Sequence, residues 1–402
     1  MTTQAPYITR RALTAGTQDT TQLLRHAALQ ARSRKFSEIL IVDADAHHYE
    51  TESWPDIVAR IEDPVIRRQA SGASTLRDTT SILPGTTSND IELSGRIPRY
   101  GNRVREMGNE SEPRDVTLIR RSMTAMGIDY TVLFPGPLLR LGFHPSPEYE
   151  VQVARAYARW LTEVILPADK HIKTMLYLPF QDPLACLRLV QEFGDRSGVI
   201  GFLVACYRDR SVDDNAYMPL YAELERRRFP IAFHSSVEWT ERHFAVMNRY
   251  LSIHALGMPF NHMVHMTNWV INGLPERFPG LRTIWIEGGL AFVPFLMQRL
   301  DSVYMMRSSE APLLRKMPSD YMREFFYTSQ PLEVPLHNLD VLKTTFQMIN
   351  AETQLLYASD YPHWDFDLPS QIYDLPFLSE SQKLRILGQN AASLFRLDET
   401  VS

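Results

Sequence analysis

The 402-residue chain predicts an α/β fold of one architecture, an eight-stranded (β/α)8 or TIM barrel. Three observations carry that expectation. Short apolar runs of strand length recur eight times after residue 37, at 38–45, 129–135, 172–179, 198–205, 230–235, 282–287, 324–329 and 354–360. Several are apolar on both faces, as parallel strands covered on both sides must be. Helical patterns stand between them, as in "EYEVQVARAYARWLTEVI" (148–165), "PLYAELERRR" (219–228) and "LAFVPFLMQRLDSVY" (290–304). Strand–helix alternation of this kind closes into a barrel or opens into a doubly wound sheet. No glycine-rich phosphate loop follows the first strand, which disfavours the sheet.

Taken in order, residues 1–36 form a polar arm in which "TQLLRHAALQARSRKF" has the pattern of an amphipathic helix. That helix either packs on its own domain or embraces a second subunit. The barrel domain is expected over 37–402, with an insertion at 51–115 between the first two strands. The insertion is polar, rich in Gly, Ser and Thr, and far longer than an ordinary strand-to-helix connection. It follows the C-terminal end of a strand, the catalytic face of a barrel, so a lid or substrate loop is expected there.

Composition narrows the function. A net charge of −5 without a Lys/Arg run gives no reason to expect nucleic acid. The start lacks a signal-peptide core, and no window has the length of a membrane span, so a soluble cytoplasmic protein is expected. Only Cys186 and Cys206 are present, so neither a disulfide framework nor a cysteine-based zinc site is indicated.

The strand ends carry the chemistry. The first run, "ILIVDADAHHYE", passes from four apolar residues into Asp43, Asp45, His47, His48 and Glu50. Alternation sends Asp45 and His47 to one face. The fifth strand ends at His234, the sixth at Glu287, and the eighth at Asp360, followed by His363 and Asp365. All these ends meet at one rim of a barrel. Carboxylates and imidazoles gathered there repel, titrate away or bind a cation, and a divalent metal takes both ligand types in the same site. Asp43 is expected as a structural acid. His171, His243 and His262 have no such context, and His254 and His265 either face the rim or pack.

The same stretches resemble the amidohydrolase superfamily, in particular the amidohydrolase-2 branch that includes relatives of aminocarboxymuconate-semialdehyde decarboxylase. "DADAHHYE", "AFHSS", "GLPERFPGLRTIWIEGGLAFVPFLMQRLD", "FFYTSQPLE" and "YASDYPHWDFD" carry the resemblance, with 51–115 the poorest match. It implies a barrel with metal at the strand C-termini. Asp45 and His47 stand where the family has its first His-x-His pair, His234 at the strand-five metal His, and Asp360 at the strand-eight metal or base Asp. The chain departs from the pattern at three points. Asp45 replaces the first His, Glu287 stands where His is common, and the fourth strand ends without the Lys that bridges two metals by carbamylation.

The expected metal set is therefore Asp45, His47, His48, Glu50, His234, Glu287 and Asp360. Asp360, Glu287 and His234 are the expected catalytic groups. Harder oxygen ligands favour Fe or Mn, with Zn still possible. His48, Glu50 and Glu287 could hold or bridge a second ion, although Glu50 could equally orient His47. A dinuclear Fe or Mn/Fe site would activate O2 and hydroxylate an aliphatic C–H bond, drawing electrons from a ferredoxin and reductase. The alternatives are a metal-dependent hydrolase or non-oxidative decarboxylase of a small carboxylic acid, and a catalytically silent barrel subunit. Arg103, Arg140 and His144 are candidates for a substrate carboxylate. A homo- or hetero-oligomer is expected.

Overall fold

In the computed structural model, residues 20–50, 52–72, 112–205, 210–234, 236, 243–247, 249–333, 338–363 and 365–397 are described. Eight strands form one sheet in sequence order: β1 (Val42–His48), β2 (Tyr130–Pro135), β3 (Ile172–Tyr177), β4 (Val199–Val204), β5 (Ile231–His234), β6 (Thr283–Ile286), β7 (Phe326–Thr328) and β8 (Leu355–Leu356). Every neighbouring pair is parallel. The first and last strands meet through backbone bonds from Ala44 N–H to the Tyr357 carbonyl (2.9 Å) and from Asp360 N–H to the Asp45 carbonyl (2.8 Å). The expected barrel is therefore observed, with all eight strands where the apolar runs placed them.

Helices cover the outside. The principal ones are α1 (Thr20–Ser33), α2 (Arg114–Met126), α3 (Pro147–Trp160), α4 (Pro183–Phe193), α5 (Met218–Arg227), α6 (Tyr250–Ile271), α7 (Phe292–Arg307) and α8 (Leu339–Met348). Strands β1 and β2 are buried along their whole length, which requires the two-sided apolar sequence they have. Several outer helices start on a side chain that accepts orphan N–H groups: Ser146 for α3, Asp182 for α4 and Asn338 for α8.

The described part of the arm lies on its own barrel. Leu24 and Ala27 of α1 are buried, α1 packs along α2, and Arg34 donates to Asp374 (2.9 Å). Within the insertion, short helices Trp54–Val58 and Pro64–Ser71 bury Trp54, Ile57, Val58 and Ile66 in the common core. The remainder, 73–111, lies outside the described residues, and with it Arg103 and the expected lid. So does Cys206; Cys186 is a buried thiol. No described helix is long and apolar enough to cross a membrane.

Candidate metal centre

Asp45 and His47 leave β1 toward the barrel axis, beside an irregularity of register between Asp43 and Ala46. Such a bulge re-aims side chains next to a site. His234 is the last residue of β5. Glu287 and Asp360 follow β6 and β8, and each has a left-handed backbone, with φ of 55° and 57°. That conformation costs about 1–3 kcal/mol for a non-glycine residue and persists where the surroundings impose it. At Glu287 its use is plain. Trp285 faces outward, meeting His262 of α6 edge-on at 5.4 Å, so unbroken alternation would turn Glu287 outward as well. The left-handed turn brings its carboxylate back to His234.

The polar atoms converge closely. His47 Nε2 lies 3.3 Å from Asp45 Oδ1 and 3.1 Å from Asp360 Oδ1. His234 Nε2 lies 3.8 Å from Asp45 Oδ1 and 3.3 Å from Glu287 Oε2. All five side chains are buried, none more than 4% exposed. His363 Nδ1 lies 2.5 Å from Asp360 Oδ1, and its ring lies 4.4 Å from that of His47. Gln330, fully buried after β7, donates its amide to Asp360 Oδ2 (3.1 Å).

The donor set fits a divalent cation. His47 Nδ1 lies 2.8 Å from the Pro135 carbonyl and donates to it, so Nε2 of the neutral ring carries the lone pair. That nitrogen is buried without a hydrogen-bond partner and faces carboxylate oxygens. Either a proton or a metal must stand between them. Burial opposes an imidazolium at His47, but the Asp45 and Asp360 charges prevail and hold it well above its ordinary value. Burial would likewise raise Asp360, yet His363 and His47 hold it well below the usual carboxylate range. Among the described residues, two sets of ligand atoms, Asp45–His47–His234 and His47–Asp360–His363, each lie within 4.8 Å of one another.

Two expected ligands are committed elsewhere. His48 has the opposite parity to His47 and points into the helix layer. Its ring stacks on Trp160 (5.5 Å, 7°), with Nε2 2.6 Å from Tyr157 Oη and Nδ1 3.3 Å from Asp115. Glu50 accepts the N–H groups of Gly136 (3.0 Å) and Leu138 (2.7 Å), holding the turn after β2. A glycine is required at 136 because a Cβ would lie 2.8 Å from the His48 carbonyl. Neither residue reaches the cluster, so the set expected for a second ion is not assembled.

Other assignments sort as follows. Asp43 accepts from Ser359 N–H (2.8 Å) and Oγ–H (2.5 Å), a structural clasp across the barrel seam, and burial lifts it to about 7. His144 turns back on its own loop, accepting Ser146 N–H (3.1 Å) and stacking on Tyr149 at 4.0 Å. Burial lowers its pKa, so it is a poor cation for a substrate carboxylate. Arg140 is half-buried in the 3₁₀ turn Pro137–Phe143. His262 is a core residue donating to the Ile286 carbonyl (2.6 Å), and burial pushes it down to about 4. The sequence reading put His363 at the rim but left it out of the ligand set, and it missed Gln330. The i, i+3 spacing from Asp360 and the position at the end of β7 were the available signals.

Comparison with known proteins bears on the chemistry. The amidohydrolase family model matches residues 42–397. Gamma-resorcylate decarboxylase of Rhodococcus jostii (strain RHA1) is 24% identical over 271 residues, covering 63% of this chain and 79% of that protein. The 2-amino-3-carboxymuconate-6-semialdehyde decarboxylase of Dictyostelium discoideum is 22% identical over 302 residues, covering 74% and 80%. Among solved structures, 5-carboxyvanillate decarboxylase from Sphingomonas paucimobilis superposes with a TM-score of 0.64 at 18% identity, over 90% of this chain and all of that one. A dihydroxybenzoic acid decarboxylase from Polaromonas sp. JS666, with bound manganese and an inhibitor, gives 0.61 at 18% identity, over 90% and 98%. These relatives overturn the expected hydroxylation with O2, because they are decarboxylases, and two of the three residues expected for a second ion, His48 and Glu50, point away. The demand for a ferredoxin and reductase goes with it. The chain belongs to the amidohydrolase family of metal-dependent enzymes.

Proposed function

We propose that this protein is a metal-dependent, non-oxidative decarboxylase of a small aromatic carboxylic acid. The observation that carries the reading is the buried convergence of Asp45, His47, His234 and Asp360 in a chain whose relatives are decarboxylases. These four residues would hold the ion. We assign manganese from the oxygen-rich donor set and the manganese in the Polaromonas decarboxylase. When bound, the ion supplies positive charge that anchors substrate oxygens and stabilises negative charge as it develops.

The chain's own residues do the rest. Phe134, fully buried, lies 6.2 Å from the His47 ring and 6.1 Å from the His234 ring, an apolar wall suited to an aromatic substrate. Glu287, its carboxylate 3.3 Å from His234 Nε2, is the proton donor. Breaking the carbon–carboxylate bond leaves its electron pair on the ring carbon; a proton from Glu287 takes that pair, and CO2 departs. One proton is consumed, and neither oxidant nor reductant is needed.

The test is an assay of manganese-loaded protein on 2,6-dihydroxybenzoate and 5-carboxyvanillate, in air and under argon. We expect equal CO2 release in both atmospheres and about one metal per chain. His234→Ala should lose both metal and turnover. Glu287→Gln should keep its metal while turnover falls about 10²-fold or more, the scale of a lost general acid. Oxygen uptake coupled to turnover would overturn the reading.

A further inference from the structure

The opposite mouth of the barrel carries a second feature. A cavity of about 1160 Å3 opens there, lined by residues that begin the strands: Pro230 before β5, Arg282 before β6, Phe326 in β7 and Gln354 before β8. Five arginines line it: Arg228, Arg282, Arg323, Arg385 and Arg396. The whole chain has a net charge of −5, so this concentration of positive charge is local and runs against the overall balance.

Little in the cavity neutralises it. Two acids share the lining, and both are engaged. Glu225 accepts the Gly280 N–H (2.6 Å), and Glu324 pairs with Lys316. Arg323 spends one nitrogen on the Met348 carbonyl (3.0 Å), and Arg385 lies 3.8 Å from Glu352. Among the described residues, the guanidinium groups of Arg228, Arg282 and Arg396 make no hydrogen bond and no ion pair; these residues bond only through their backbones. Gathering like charges around a concave surface is unfavourable without a counter-charge, and the concavity focuses their field. The guanidinium fork matches tetrahedral oxyanions in two-point contact, which an ammonium cannot do. Gln389 and Ser393 add uncharged donors to the same wall.

We propose that this mouth is a binding site for a small multivalent oxyanion of the phosphate-ester class, remote from the metal centre. The volume accommodates a pyrophosphate-sized group with part of an attached molecule. Binding there would screen the arginines from one another and so stabilise the folded chain.

Isothermal titration with inorganic pyrophosphate tests the proposal on the full-length, metal-loaded protein, dialysed free of unbound metal and held at constant ionic strength. Because pyrophosphate also chelates metals, His234→Ala serves as the arm in which the metal centre is emptied. One pyrophosphate per chain is expected, with affinity kept in His234→Ala and in the distant Arg68→Gln. The Arg228→Gln/Arg282→Gln double variant should bind at least tenfold more weakly. Both side chains are exposed and make no side-chain bond, so its fold, checked by circular dichroism, should not change. The melting temperature should rise with pyrophosphate in wild type and not in the double variant. Binding that vanishes in His234→Ala, that ignores the arginine changes, or that disappears at matched ionic strength would overturn the site.

Discussion

At the residue scale, the metal centre is set by how each carboxylate is held. Asp360 is gripped on both oxygens, by His363 on one and by Gln330 on the other. The orientation of the Gln330 amide is fixed, since its nitrogen also faces the Asp365 carbonyl (3.4 Å) and only a donor suits two acceptors. Replacing Gln330 with Leu keeps the volume and releases one grip. Metal affinity should fall about 10- to 100-fold, as for other residues that orient a ligand, read by titration with a competing chelator. Unchanged affinity would show that Gln330 does not position Asp360. Much of this centre was legible from strand-end residues alone: Asp45, His47, His234 and Asp360 fall where alternation and barrel topology put them. The same alternation excludes His48, which sits one residue from His47 and so on the other face. Glu287 could not be placed by that rule. Its approach to His234 depends on a positive φ, which the letters of a sequence do not encode.

At the element scale, buried acids pin helices to strands. Glu150, in the first turn of α3, accepts from Tyr177 Oη (2.7 Å) at the end of β3 and from Phe180 N–H (3.1 Å) just beyond it. Burial dominates and lifts its pKa to about 7, against the hydrogen bonds that favour the charged form. Between its ordinary value of 4.5 and about 7, the folded chain keeps a proton that the unfolded chain has released. Stability therefore falls as pH rises through that window, by at most about 3 kcal/mol from this one group. Glu150→Gln should flatten the dependence by a comparable amount, measured by urea unfolding at pH 5 and pH 8. A slope equal to that of wild type would show that Glu150 titrates normally. The insertion has an element-scale prediction of its own. Its flanks are tied together by Arg114–Glu52 (3.1 Å) and by Ser53 Oγ to Asp115 (2.6 Å), while Asp115 also meets His48. Joining Gly72 to Glu112 through a short Gly/Ser linker should leave the melting temperature within a few degrees and metal binding intact. Loss of cooperative unfolding would show that these two ties do not hold the flanks together once the intervening chain is replaced. The amphipathic pattern of α1 was readable, but its partner was not, because α1 and α2 meet only after the chain has travelled through the insertion.

At the scale of the whole molecule, the barrel separates two chemistries. Acids and imidazoles gather at the C-terminal mouth, and arginines gather at the N-terminal mouth. The fold class was readable because eight apolar runs impose it. The arginine cluster was not, because its members come from four separate segments, those leading into β5, β6 and β7 and the helical stretch after β8, and share no local pattern. The seam between β1 and β8 has a further consequence, in time rather than space. Asp43 and Ser359, which clasp it, are 316 positions apart, and the proposed metal ligands Asp45 and Asp360 stand two residues and one residue beyond them in the chain. A ribosome releases the first of these ligands early and the last only when almost all of the protein has been made. No nascent intermediate can own the complete centre. On the proposed ligand set metal capture is therefore a late event, and a chain that ends short of its eighth strand would be a barrel without a seam and without that site.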